Sequence, residues 1–75
     1  MFAYLLISLD ATREDDIYDK LKKMAEIKDL HILFGEWDLI AKVQLENSEA
    51  LGTFVISKVR NIPGVKLTST LIVAR

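Results

Sequence analysis

The sequence contains no cysteine and has a single histidine and a single proline. Without cysteine, disulfides, thiolate nucleophiles and cysteine-ligated zinc are excluded. One histidine leaves little material for a metal site or a catalytic triad. The first apolar run, Phe2–Leu9, has no basic leader before it and is far shorter than the ~20 residues of a membrane span. These absences predict a cytoplasmic protein without catalytic residues, bound metal, cofactor or membrane contact.

An excess of charge of one sign is lacking as well. Ten Lys and Arg residues stand against eleven Asp and Glu residues, and this balance does not predict a nucleic-acid-binding surface. Apolar residues, in contrast, make up 51% of the 75 residues, which excludes disorder. The length allows one domain, residues 1–75. Because so small a domain usually needs a metal, a disulfide or a partner chain, self-association is the expected source of further burial.

Four strands are predicted from apolar runs and alternation, at Phe2–Leu9, Leu30–Phe34, Leu39–Glu46 and Val65–Ala74. A first helix lies between the first two strands, where Ile17, Leu21 and Met24 recur at helical spacing and Thr12 with Asp15 resembles a capping box. The charge run on this helix is interpreted as a solvated face.

A second helix is predicted between the third and fourth strands. It is capped at Asn47–Ser48 and ends at the turn Asn61–Gly64. Its inner stripe comprises Leu51, Phe54, Val55, Lys58 and Val59.

The order βαββαβ predicts an α+β, ferredoxin-like fold, a four-stranded antiparallel sheet with two helices on one face. The first strand is apolar on both of its sides, with Ala3, Leu5, Ile7 and Leu9 on one and Phe2, Tyr4 and Leu6 on the other. Leu33, Ile40 and Ile72 are expected to extend the side that the helices leave uncovered. Because monomers rarely expose so large an apolar patch, a second copy is expected to cover it, giving a dimeric α/β barrel by sheet-to-sheet pairing.

The turn Gly35–Asp38 carries residue types suited to a small binding corner. Gly35 permits positive φ, Trp37 offers a flat amphipathic surface, and Asp38 accepts hydrogen bonds from amides or an ammonium. A stable hairpin turn with a local Asx-type bond explains the same residues without a ligand. From the residues alone, both interpretations stay open. His31 is interpreted as a packing residue of a strand.

The chain from Ala3 to Val73 resembles the regulation-of-amino-acid-metabolism (RAM) domain of the leucine-responsive/asparagine-responsive (Lrp/AsnC) transcription regulators. The stretches Gly35–Val43 and Ile62–Thr70, at this separation and in this strand and helix order, carry the resemblance. It implies a non-enzymatic domain that forms dimers, assembles further into octamers or similar rings, and binds an amino-acid effector between dimers. Gly35, Trp37, Asp38, Thr68 and Thr70 match effector-binding positions.

Two features depart from the family pattern. The family usually begins with a helix-turn-helix DNA-binding domain, which residues 1–75 do not include, so no direct binding to nucleic acid is expected and mixed assembly with full-length regulators is implied. Phe34 stands where a small hydroxyl residue is common, and this affects the size or preference of the pocket. Two alternatives remain: a small dimeric α/β-barrel enzyme that uses His31, and an assembly module without a ligand.

Overall fold

The computed structural model describes residues 1–10 and 13–75, so the predicted capping residue Thr12 lies outside the described residues. The elements follow the predicted βαββαβ order. In chain order they are β1 (Phe2–Leu9), α1 (Glu14–Lys22), β2 (Ile27–Ile32), β3 (Leu39–Gln44), α2 (Ser48–Phe54) with a π-helical continuation (Val55–Val59), and β4 (Val65–Ile72). Asn47 caps α2 as predicted, since its Oδ1 accepts a hydrogen bond of 2.8 Å from the amide of Ala50.

The strands form one antiparallel sheet in the order β2-β3-β1-β4, which confirms the ferredoxin-like topology. The long central strand β1 sets the extent of its neighbours. Phe2, its first residue, pairs with Gln44, the last residue of β3, and Ala3 pairs with Ile72, the last residue of β4. The paired residues of the two strands therefore end before Glu46 and Ala74, and beyond them only single backbone bonds follow, from Leu45 to Met1 and from Val73 to Phe2.

The edge strand β2 begins three residues earlier than predicted and ends at Ile32 rather than Phe34. Ile27 already pairs with Val43 of β3. The exposed polar residues Lys28 and Asp29 come next, as an edge strand permits, and they break the apolar run on which the prediction relied.

The core lies between the sheet and the two helices, and its members alternate along β1 and β3 as predicted. The buried hydrophobic side chains are Ala3, Leu5, Ile7, Leu9, Ile17, Leu21, Leu39, Ala41, Val43, Leu51, Phe54, Val55, Val59 and Ile62. Lys58 was expected in the inner stripe, but it is exposed. The π turn holds more residues per turn than an α-helix, and this turns Lys58 away from the core while Val55 and Val59 stay buried.

The side of the sheet away from the helices carries Phe2, Tyr4, Leu6, Ile40, Leu67 and Leu71, and this set is called the open sheet face below. Each of these side chains is exposed or only partly buried. One of the predicted additions is wrong, since Ile72 pairs with buried Ala3 and so lies on the helix side. Leu33 comes after the end of β2, so the sheet register assigns it to neither face.

Candidate functional site

The turn between β2 and β3 spans residues 33–38, two residues more than predicted, because β2 ends at Ile32. The amide of Leu33 donates to the carbonyl of Asp38 at 2.8 Å and closes the hairpin. Gly35 has φ of +139°, a value that side chains with a Cβ rarely adopt, which explains glycine at this position. Gly35, Trp37 and Asp38 thus share one turn, the turn cluster.

Asp38 ties this turn to the central strand. Its Oδ2 accepts a hydrogen bond of 2.7 Å from the amide of Leu9, and its own amide donates to the carbonyl of Ile7 at 3.0 Å. Leu9 needs this acceptor because the ladder between β1 and β3 ends at Ile7. The expected local Asx-type bond is therefore wrong, since the carboxylate bonds 29 residues away. Among residues 1–10 and 13–75, no group bonds to the second carboxylate oxygen.

The tip of the turn is apolar and reaches into solvent. The Phe34 side chain is fully exposed, at 106% of its reference area, and Ile32 beside it is 46% exposed. Trp37 is half-buried. A phenylalanine exposed to this extent adds little to the packing of its own chain.

Thr68 and Thr70 lie on a different surface. They pair with Ile7 and Leu5 of β1, which turns their side chains to the helix side of the edge strand β4. Together with α2 and the π-helical segment they line a groove of about 360 Å³, the strand groove. Its walls are formed by Ser48, Leu51, Gly52, Val55, Ile56, Arg60, Thr68, Thr70 and Ile72. Such a volume suits a single small molecule.

The structure therefore divides the five predicted site residues into two groups. Ile7 of β1 pairs with Leu39 on one side and with Thr68 on the other, so the two groups are held about two strand spacings, ~10 Å, apart. None of the turn cluster lines the strand groove. Within residues 1–10 and 13–75, the strand groove therefore holds Thr68 and Thr70 without the other three predicted site residues.

Sequence reasoning missed the groove residues Ile56 and Arg60. The α-helical periodicity gave no reason to select them, and a π turn has no recognisable sequence signal. Among the residues that the structure describes, Arg60 is the only charged residue of the strand groove, and no acidic residue forms an ion pair with it.

A second groove of about 460 Å³ lies between α2 and the start of β2. Its charged residues are Glu26, Glu49 and Lys58, and of these Glu26 and Lys58 bond to each other at 2.9 Å. The Lys58 ammonium, which donates this hydrogen bond, holds the pKa of Glu26 below its usual value. Because Lys58 is already paired, this groove is a poorer site for a charged ligand than the strand groove.

The described part of the chain offers little support for a metal site, a membrane-spanning helix or an enzyme cleft. No three His, Asp or Glu side chains come together there as a metal site requires. None of the helices within residues 1–10 and 13–75 is long and apolar enough to cross a membrane. The predicted polar residue of an enzyme cleft, His31, is exposed and pairs with Ile40, which places it on the helix-free side of the sheet.

Comparison with known proteins gives a consistent result. Residues 2–75 match the family model of the Lrp/AsnC ligand binding domain. An uncharacterised HTH-type transcriptional regulator of Pyrococcus abyssi is 36% identical over 73 residues, which are 93% of this chain and 49% of the relative. The chain thus spans about half the length of the curated relatives it matches.

Solved structures share the fold over nearly the whole chain. The crystal structure of FFRP-DM1 superposes with a TM-score of 0.92 at 35% identity, covering 96% of both chains. A transcriptional regulator of Neisseria meningitidis, solved as a complex with L-Met, has a TM-score of 0.92 at 20% identity, over 99% of this chain and 49% of the other. At that identity the second match shows the shared fold alone.

Proposed function

The chain belongs to the family of Lrp/AsnC ligand-binding domains, and on that premise we propose that it binds an amino-acid effector between copies of itself. Its relatives are transcriptional regulators and not enzymes. The observation that carries the proposal is the separation of the turn cluster from the strand groove within one chain. The turn cluster offers a partner for the ammonium group of an amino acid, and the strand groove offers partners for its carboxylate. A site formed by two copies therefore supplies both.

The chemistry of the two groups is complementary. Asp38 presents a carboxylate oxygen that its own fold does not use among the described residues, and this oxygen suits an α-ammonium. Thr68 and Thr70 present hydroxyl groups that donate to an α-carboxylate. Gly35 lets the turn approach closely, and Trp37 with exposed Phe34 supplies apolar surface around the bound molecule.

The open sheet face supports a dimer as the first level of assembly. Leu67 is 62% exposed and Leu71 51% exposed, and they flank the partly buried Tyr4 and Leu6 of the central strand. The polar residues Asp29 and His31 lie at the β2 edge of the same face. Ser8, Lys42 and Ser69 lie among these apolar residues, so the face combines apolar and polar side chains, as interfaces commonly do. We expect two copies to pack these faces together as a dimeric α/β barrel.

Contacts between such dimers then bring the turn cluster of one copy to the strand groove of another. Phe34, fully exposed at the tip, is the side chain best placed to be buried in that contact. Larger rings, and mixed assembly with full-length regulators of the same family, are extensions of this arrangement. The effector strengthens or weakens the contact because it binds across it.

A second candidate, an assembly module that binds no ligand, rests on the same open sheet face. A thermal-denaturation screen with each of the twenty amino acids separates the two. A ligand at about 100 times its Kd stabilises the folded state by about 2.7 kcal/mol, which raises the melting temperature of a domain of this size by roughly 11–22 °C. If no amino acid raises the melting temperature, the assembly module is favoured and the effector proposal is refuted.

A further inference from the structure

We infer that the strand groove selects an amino acid with a neutral aliphatic side chain, and that Arg60 binds its α-carboxylate. This inference rests on the proposed function and adds the substrate class and a binding residue. Neither was expected from the sequence. Three features of the groove lead to it: the position of Arg60, the lack of acidic side chains among the described lining residues, and the aliphatic walls.

The position of Arg60 results from the π-helical segment. The Arg60 amide donates to the carbonyl of Val55 at 2.8 Å, a bond that spans five residues where an α-helix spans four. One additional residue in the turn rotates the next residues of the chain by about 100° about the helix axis. Arg60 thereby joins Val55 and Ile56 on the wall of the groove. Single π turns of this kind are often found at functional sites.

The charges of the groove suit a carboxylate. Arg60 faces the same groove as the Thr68 and Thr70 hydroxyls, and no aspartate or glutamate of the described chain lines it. A guanidinium presents donors in a planar fork that matches both oxygens of a carboxylate. The two threonines have no side-chain hydrogen bond within the described residues, so their hydroxyls remain available to the same ligand group.

Four of the remaining lining residues are aliphatic, and the other two are Ser48 and Gly52. Ile56 is 62% exposed and Ile72 is 53% exposed, and with the buried residues Leu51 and Val55 they supply the aliphatic part of its walls. A basic side chain finds no acidic partner among these described walls and is repelled by Arg60. An acidic side chain places a second carboxylate against isoleucine, where it loses its hydration. A neutral aliphatic side chain covers Ile56 and Ile72 instead, which is favourable.

The experiment is a calorimetric titration of the full chain with L-leucine, L-leucinamide, L-lysine and L-glutamate. Leucine should bind most tightly. Leucinamide, which lacks the carboxylate charge, should bind on the order of tenfold to a hundredfold more weakly, as for a lost hydrogen bond between charged groups. R60Q should weaken leucine binding by a similar factor and leave leucinamide binding nearly unchanged, while R60K should restore part of the affinity for leucine.

K20Q is the matched control, because it removes an exposed cation from α1, outside the groove. The Arg60 assignment is overturned if the R60Q variant binds leucine with the same affinity as the K20Q variant. It is also overturned if wild-type protein binds leucinamide as tightly as leucine. The second comparison needs no variant and holds even if R60Q does not fold. Tighter binding of lysine or glutamate than of leucine overturns the side-chain class and leaves the proposed function intact. If none of the twenty amino acids binds, the proposed function fails, and this inference fails with it.

Discussion

The amide of Leu9 and the Oδ2 atom of Asp38 lie 2.7 Å apart and join the end of the central strand to the turn cluster. The same residue is the proposed ligand of the effector ammonium, so Asp38 combines a structural and a binding role. The two roles use different properties of the side chain. The bond to Leu9 needs only an acceptor oxygen, whereas the ammonium needs the negative charge.

Two substitutions at Asp38 therefore have different expected results. D38A leaves the part-buried amide of Leu9 without its acceptor and should lower the free energy of unfolding by about 1–3 kcal/mol. D38N keeps an acceptor oxygen, so it should unfold close to wild type yet lose the stabilisation by added amino acid. Urea unfolding and thermal shift measure the two effects. If added amino acid raises the melting temperature of D38N as much as that of wild type, Asp38 is not part of the binding site.

The sequence predicted the sheet well where side chains alone decide which residue faces which side. The alternation of β1 separated Leu5 and Ile7 from Tyr4 and Leu6, and the structure places the first pair in the core and the second on the open sheet face. The start of the edge strand β2 was missed. Its exposed residues are polar because they face solvent, so they interrupt the apolar run from which a strand is predicted.

Long-range and irregular features could not be predicted. The partner of Asp38 is 29 residues away and leaves no local pattern. The π turn that exposes Lys58 and brings Arg60 to the groove depends on how the helix packs on the sheet. Thr68 and Thr70 were correctly placed on the last strand, but only the register with Leu5 and Ile7 shows which surface they line.

The open sheet face provides a test with neighbouring residues as variant and control. Leu71 is 51% exposed on the open sheet face, and Ile72 is 53% exposed on the opposite side. L71D places a charge in the proposed interface and should yield monomers at micromolar concentration, whereas I72D should remain dimeric. Sedimentation velocity distinguishes them. A wild-type chain that is monomeric, or equal effects of the two substitutions, would contradict the sheet-to-sheet dimer.

Phe34 separates the dimer from larger assemblies. Because its side chain is fully exposed, F34S should change the free energy of unfolding of the chain by no more than about 0.5 kcal/mol. It should retain the dimer but weaken assemblies above it, which light scattering after gel filtration reports. L71D is the contrast, since it is expected to disrupt the dimer itself. An F34S protein that assembles as wild type would show that the tip of the turn lies outside the contacts between dimers.

Substitution by alanine at two glycines should change the stability of the chain in opposite directions. Gly52 lies within α2, and a Cβ there meets no atom within 4 Å, so G52A should stabilise the chain by up to about 1 kcal/mol. Gly64 has φ of +100°, and a Cβ would lie 2.9 Å from Cδ1 of Ile17, so G64A should destabilise it by more than about 1 kcal/mol. Chemical denaturation at one pH measures both. Destabilisation by G52A would indicate that Gly52 contacts a partner copy.

The ion pair of Glu26 and Lys58 predicts a small dependence of stability on pH. The pKa of Glu26 is lowered below 4.5, chiefly by the hydrogen bond from Lys58. A carboxyl group whose pKa falls on folding contributes stability that is present above the unfolded-state value and is lost as pH drops through the folded-state value. K58Q should therefore be less stable than wild type at pH 7, by at most about 1 kcal/mol because Lys58 is 55% exposed.

The difference between wild type and K58Q should disappear well below pH 4.5, where Glu26 is protonated in both proteins. Added salt at pH 7 should also reduce it, since screening weakens surface pairs. K20Q again serves as control, because loss of an exposed α1 cation outside this pair should not produce the same pH profile. Unfolding by urea at a series of pH values measures the effect. A destabilisation by K58Q that is equal at neutral and acidic pH would assign it to lost packing of the lysine stem against α2 rather than to its charge.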